Sequence, residues 1–213
     1  MRKAAAASHP RSFASQLLSL VAHPRRGFLI LLERRRPVEV MMFSAISGVY
    51  VAYVAAERLH LADGVGFAPT LVFVLLGGPG FGLLALAFTD VVLTAATRAA
   101  GGTADREIIA GVFGYATWPF LPLLVIVTAV ELAAYGDNVF SSGRADAPPF
   151  VSVLVTILEI GTILLWLLLM VEGTAAAGHL SEVDAARTVG LTFVRMFVIM
   201  VLLALIAFAA FVI

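Results

Sequence analysis

The fold class of this chain is indicated most clearly by one stretch, FVSVLVTILEIGTILLWLLLMVE, at residues 150–172. Glu159 is its only charged residue before the terminal Glu172. About 20 apolar residues in a helix cross ~30 Å of hydrocarbon, and lipid requires every backbone polar group to be paired internally. The apolar residues are continuous and do not alternate with polar ones, which argues against a barrel strand. The stretch therefore predicts a transmembrane helix.

Four further stretches of this kind lie at residues 38–59, 67–98, 107–135 and 183–213. The whole chain is 61% apolar and 13% charged, with a mean hydropathy of +1.02. A soluble domain is about a quarter charged, so this composition excludes a water-soluble enzyme and a nucleic-acid-binding protein. We expect an all-α polytopic bundle of five transmembrane spans at residues 38–213, preceded by a separate N-terminal segment at residues 1–37.

Two of the predicted spans contain residues that distort helices. Pro79 lies among three glycines in the second span, and Pro119 and Pro122 lie in the third. Proline removes an amide donor and clashes with the preceding helical turn, so both spans should be kinked. Each kink serves either packing or a cavity lined by broken helices, as in transporters.

Basic residues predict the orientation of the bundle. Eight of the 14 lysines and arginines lie in the first 36 residues. With this segment in the cytoplasm, the cytoplasmic side holds eleven basic residues, whereas the outside loops hold Arg58 and Arg144. The positive-inside rule then places the N-terminus in the cytoplasm and the C-terminus outside.

The N-terminal segment combines short apolar stretches with arginines, which is typical of helices lying in the membrane interface. Its arginines are expected to contact anionic lipids. They are Arg25, Arg26, Arg34, Arg35 and Arg36. The alternatives are a mitochondrial transit peptide and a docking surface for a partner.

Four ionisable residues fall inside predicted spans, where charge is costly and marks candidate functional sites. Asp90 and Arg195 have opposite charges and similar depth, so we expect them to form a pair. Glu131 and Glu159 belong to the opposite half of the bundle. These two carboxylates form a proton or cation relay, or else are structural groups bonded to hydroxyls such as those of Thr128, Thr156 and Thr162.

The sequence contains no motif for a catalytic, metal or cofactor site. The chain has no cysteine, which excludes disulfides, thiol nucleophiles and iron–sulfur clusters. Phosphate-loop, metalloprotease and serine-hydrolase motifs are absent, and the four histidines fall in loops or termini. We expect no enzymatic activity, no metal and no cofactor.

Ser181 and Asp184 predict a capping box that begins the fifth span.

Three segments together resemble the Yip family of membrane proteins. The first is RAAGGTADREIIAGVFGYATWPFLP, residues 98–122, with a Gly-Gly turn followed by Gly114-Tyr115 and Pro119. The second is WLLLMVEGTAAAGHLSEVDAARTVGL, residues 166–191, in which His179-Leu180-Ser181 joins two spans. The third is AHPRRGFLILLERRRP, residues 22–37, which resembles the sequence before the family's first span.

The resemblance implies a non-enzymatic five-span protein with a role in membrane organisation. Eukaryotic members are linked to Rab GTPases, but this chain lacks their Asp-Leu-Tyr-Gly-Pro signature and their long N-terminal domain. GTPase binding is therefore not carried over. Abundant alanine and arginine with a single lysine, Lys3, indicate a bacterial source and hence the inner membrane.

Three functional hypotheses follow. The first is a structural or interaction protein that forms a homo-oligomer or joins a membrane complex. The second is a small transporter or ion pathway that uses the intramembrane carboxylates. The third is an accessory subunit of a larger complex.

Overall fold

The structure, a computed structural model, describes residues 12–34, 36–103, 105–143 and 149–212. All regular secondary structure in these ranges is helical, and five helices are long and apolar enough to cross a membrane. The prediction of an all-α, five-span bundle is confirmed. The candidate spans are Pro37–Arg58, Phe67–Ala99, Arg106–Phe140, Pro149–Gly178 and Glu182–Leu202.

The helices are numbered in chain order. They are α1 (Phe13–Ala22), α2 (Pro24–Glu33), α3 (Pro37–Arg58), α4 (Leu61–Val65), α5 (Phe67–Val72), α6 (Gly78–Ala99), α7 (Arg106–Ala116), α8 (Phe120–Tyr135), α9 (Pro149–Gly178) and α10 (Glu182–Val212). The start of α3 lies at one end of the bundle with the α6–α7 and α9–α10 turns, which we call the N-terminal end. The opposite end contains α4 and the 3-10 helix Gly136–Phe140.

The second span is a continuous helix with one local distortion. A π-helical turn, Phe73–Gly77, joins α5 to α6, and Pro79 lies in the first turn of α6. Because the helix is continuous there, Pro79 removes an amide donor from the interior of the span and crowds the preceding turn. The π turn accommodates the missing amide, so the expected kink takes the form of a π turn.

The third span is divided into two helices. The first, α7, ends at Ala116, and α8 begins at Phe120 after a turn. Pro119 caps α8, and Pro122 lies in its first turn. The two prolines therefore divide the span where the sequence predicts a kink.

Helices α1 and α2 form a hairpin that packs against the bundle. Leu20, Phe28 and Leu31 are fully buried, and Phe28 lies close to Gly173 on α9. The ring of Phe13 stacks on that of Phe43 at a centroid distance of 6.1 Å. The apolar faces of these short helices therefore lie against protein, while their basic residues remain exposed.

Backbone-to-backbone contact joins α3 to α6. A methyl group on Gly82 would overlap the carbonyl of Ser44, and one on Gly48 would overlap the carbonyl of Gly78. Small residues permit such close approach, which is the main source of helix association in lipid. This contact makes α3 and α6 the most closely packed pair in the bundle.

The fifth span begins at a hydroxyl cap, as its sequence predicts. The amide of Asp184 donates to Ser181 Oγ at 3.2 Å, and that hydroxyl donates to the Asp184 carboxylate at 2.6 Å. The cap fixes the first turn of α10 at the N-terminal end. From there α10 packs along α6 and α9.

Candidate functional site

Three buried carboxylates gather towards the opposite end of the bundle, where α3, α8 and α9 meet. Glu131 is fully buried, and Glu57 and Glu159 are each 8% exposed. They come from three different helices, so the cluster exists only in the assembled bundle. We call these residues the carboxylate cluster.

Two tyrosines of α3 hold this cluster. Tyr50 donates its hydroxyl to Glu159 at 2.8 Å, and Tyr53 donates to Glu131 at 2.7 Å. The two tyrosines are three residues apart and therefore lie on one face of α3. Hydrogen bonds to carboxylates are among the stronger kind, and each of these joins α3 to a different helix.

A cavity of about 340 Å³ adjoins the cluster. Its walls include Glu57, His60, Thr156 and Glu159. The guanidinium of Arg58 also lines it and lies 3.6 Å from the second oxygen of Glu159. Glu159 therefore contacts a tyrosine on its buried side and a largely exposed arginine towards the cavity.

The structure places Glu131 and Glu159 together, within the half of the bundle where the sequence places them. Their hydroxyl partners are the tyrosines of α3, although the sequence pointed to neighbouring threonines. Thr128 Oγ1 is buried and has no hydrogen bond within the described residues. Sequence reasoning missed Tyr50, Tyr53 and Glu57, whose spacing on one face of α3 is the signal that could have identified them.

Asp90 does not pair with Arg195, and this expectation is corrected. Asp90 forms a hydrogen-bonded ion pair with Arg106, at the start of α7. Arg106 is the first residue of α7, and its long side chain reaches back to the carboxylate of Asp90 on α6. No salt bridge involves Arg195 within the described ranges, and its side chain is exposed on α10.

A second carboxylate at the N-terminal end is held in a similar way. Glu39 accepts hydrogen bonds from Arg36 at 2.7 Å and from the hydroxyl of Tyr115 at 3.0 Å. Tyr115 belongs to the Gly-Tyr pair of α7, so this contact joins the third span to the first. The arrangement again places one carboxylate between two helices.

The basic residues of the N-terminal segment point outward where they are described. Arg25, Arg26, Arg34 and Arg36 are exposed, while Arg35 lies outside the described residues. Their exposure leaves them accessible to a surface of anionic headgroups.

The chemistry that this arrangement supports is limited. Within the described residues, no group of three or more metal-binding side chains is placed to hold an ion. Two members of the carboxylate cluster, Glu57 and Glu159, border the cavity, and Glu159 is hydrogen-bonded to the hydroxyl of Tyr50. Its clearest role is to fasten α3 to α8 and α9.

Comparison with family models, with curated proteins and with solved structures finds no match for this chain. The chain is a multi-pass membrane protein on the evidence of its five apolar helices. Its membership of the Yip family stays a prediction from the three segments that resemble it.

Proposed function

We propose that this chain is a non-enzymatic membrane protein that organises a bilayer or a membrane complex through helix contacts, as a bacterial member of the Yip family would. The observation that carries the proposal is the use of its buried carboxylates. Asp90 joins α6 to α7, Glu131 joins α8 to α3, and Glu159 joins α9 to α3. Each of these three intramembrane carboxylates therefore holds two helices together.

An open face of α9 supports association with another protein. The cluster-facing half of α9 buries Val151, Val155 and Glu159, whereas a methyl group added to Gly161 would meet no other atom within 4 Å. An exposed glycine on an apolar helix permits a second helix to approach closely. This face is the contact that we propose for a homo-oligomer or a membrane-complex partner.

Mild-detergent extraction followed by native mass spectrometry tests this proposal. We expect an assembly larger than the monomer, and Gly161→Leu should reduce it. Gly190→Leu is the matched control, because Gly190 is equally open but lies on α10. A strictly monomeric wild-type particle would contradict the proposal. Crosslinking in native membranes would then separate self-association from membership of a larger complex as an accessory subunit.

The location proposed is the bacterial inner membrane, with the N-terminus in the cytoplasm. The arginine bias supports this orientation. Because the chain has no cysteine, single cysteines can report the topology without background. Thr103→Cys should resist a membrane-impermeant thiol reagent applied from outside, whereas Gly143→Cys should react. The reverse pattern would contradict the orientation.

A second candidate function is a small proton or cation pathway, favoured by the cavity beside Glu159. It requires ion flux in liposomes that Glu159→Gln abolishes. Glu172→Gln is the matched control, because Glu172 lies on the same helix away from that cavity. Equal flux in protein-free liposomes and in liposomes with wild-type protein would exclude this function.

A further inference from the structure

A cleft between α6 and α10 contains two adjoining cavities of different character. The one nearer the N-terminal end has a volume of about 350 Å³ and is lined by Asp184, Arg187, Thr188 and Arg195, among others. The other, of about 430 Å³, is lined almost wholly by apolar side chains, including Val91, Ala95, Val194 and Val198. Arg195 lines both cavities.

Arg187 and Arg195 lie on one face of α10. They are eight residues apart, or about 12 Å along the helix. Side chains of a helix tilt towards its N-terminus, so Arg195 leans towards the cavity that it shares with Arg187. Both arginines therefore line one chamber, of mixed polar and apolar character, that adjoins the apolar groove.

Neither arginine forms a salt bridge in the part of the chain that the structure describes. The only carboxylate lining the chamber there is that of Asp184, and Ser181 holds it at the helix cap. Two positive groups against one negative group leave a single net positive charge. An exposed arginine in a membrane span is costly, so an anion at this position would stabilise it.

We propose that this cleft binds a monoanionic glycerophospholipid of the adjacent leaflet. Its phosphate lies between Arg187 and Arg195, and one acyl chain follows the groove beside Val91 and Val194. The charge of the headgroup matches the net charge of the chamber, and the groove continues directly from it. A basic pocket between transmembrane helices is the feature that recognises anionic headgroups.

The site is distinct from the interfacial contact expected of the N-terminal arginines. Those among them that the structure describes lie on α2 or just after it and face outward. Arg36 also lines an apolar cavity of about 340 Å³, but its guanidinium is already paired with Glu39 at 2.7 Å. In the cleft, by contrast, a basic chamber is followed by an apolar groove, just as the charged headgroup of a lipid is followed by its acyl chains. It therefore selects a whole lipid, whereas the N-terminal segment selects only surface charge.

Native mass spectrometry of the full chain, titrated with phosphatidylglycerol or phosphatidylcholine, tests the proposal. We expect preferential retention of phosphatidylglycerol, with affinity reduced about fivefold in Arg195→Gln and in Arg187→Gln. Arg98→Gln is the control, because it removes the same charge at the same end of the bundle outside the cleft. Val194→Trp should also reduce retention by filling the groove, whereas Met200→Trp, at an exposed position on the opposite face of α10, should not.

Three results would overturn the proposal. Equal retention of the two lipids would show that the chamber does not recognise headgroup charge. Displacement of phosphatidylglycerol by inorganic phosphate, with no effect of Val194→Trp, would indicate a site for a free anion. Loss of self-association in Arg195→Gln, with lipid retention unchanged, would show that the cleft faces another protein copy. Each readout is independent of the Gly161→Leu experiment, so failure here leaves the proposed function standing.

Discussion

The two halves of the bundle are held together by different physical means. Near the N-terminal end, helices touch through their backbones, as at Gly82 and Ser44, and again at Gly114 and Val40. Towards the opposite end, α3 meets α8 and α9 through the hydroxyls of Tyr50 and Tyr53. The first half adds close backbone packing, which requires small residues, to its polar contacts at Glu39 and Asp90. The second half depends mainly on hydrogen bonds from hydroxyls to carboxylates. Substitutions should therefore affect the two halves in different ways.

The largest effect is expected from added volume in the backbone-packed half. Gly82→Ala should lower the free energy of unfolding by about 3 kcal/mol, because the methyl group overlaps the carbonyl of Ser44. Gly80→Ala, two residues away on α6, is the control, since its methyl group meets open space. Thermal unfolding in detergent measures both variants. Equal stability of the two would contradict backbone contact between α3 and α6.

An intermediate effect is expected from the loss of a hydroxyl in the other half. Tyr53→Phe leaves the fully buried Glu131 without its tyrosine donor, at a cost of about 1–3 kcal/mol. Tyr50→Phe should cost less, because Glu159 borders the cavity and is less completely buried than Glu131. The same unfolding assay compares them. If Tyr50→Phe were the more damaging change, exposure to the cavity would not compensate Glu159 for the lost hydroxyl.

A smaller effect is expected from the ion pair at the N-terminal end. Asp90→Asn should cost about 1 kcal/mol, because Arg106 is largely exposed and solvent screens the pair. Expression of charge-reversed variants gives the sharper result. Asp90→Arg combined with Arg106→Asp should restore the protein level that either change lowers. Combination with Arg195→Asp should not, and rescue by that combination would instead favour the pairing expected from sequence.

The smallest effect concerns Asp63, which joins α4 to the segment after the 3-10 helix Gly136–Phe140. The backbone amide of Ser142 donates to both of its carboxylate oxygens, at 3.1 and 3.2 Å. Hydrogen bonding from Ser142 holds the pKa of Asp63 below its usual range. The resulting stability is complete above the unfolded value of about 3.9 and is lost as the pH falls through the lower folded value.

The melting temperature measured against pH tests this contact. The advantage of wild type over Asp63→Asn should be present at neutral pH and should shrink in acid below about pH 4. Asp137→Asn is the control, because no hydrogen bond to its side chain is present among the described residues of this end. A constant difference between wild type and Asp63→Asn across that range would exclude the linkage.

Sequence reasoning reached the number of spans and the positions of their distortions because both depend on local composition. A run of apolar residues such as 150–172 and the placement of Pro119 are readable without tertiary information. Depth along a helix is equally readable, which is why Glu131 and Glu159 were assigned to the same half. The rotation of each helix about its axis cannot be predicted in this way. Because the spans are apolar on every side, the sequence does not indicate which face of a span contacts its neighbour.

The error at Asp90 illustrates that limit. Its depth matches that of Arg195, but pairing also requires that the two side chains face one another. Arg106 was assigned to a loop, although its long side chain reaches back to the buried carboxylate. The tyrosines of α3 were missed for a related reason. The hydrogen-bond partner of a tyrosine hydroxyl in an apolar span cannot be predicted until the neighbouring helix is known.

The π-helical turn Phe73–Gly77 has a consequence for the evolution of the second span. A π turn accommodates one residue more than an α-turn, and one residue corresponds to about 100° of rotation about the axis. Deleting a single residue there would rotate α5 relative to α6 by that angle. If α5 stayed in place, Gly78 and Gly82 would turn away from α3, although no residue of the interface had changed. The rotation of α5 relative to α6 about the helix axis is therefore set by the one extra residue of the π turn.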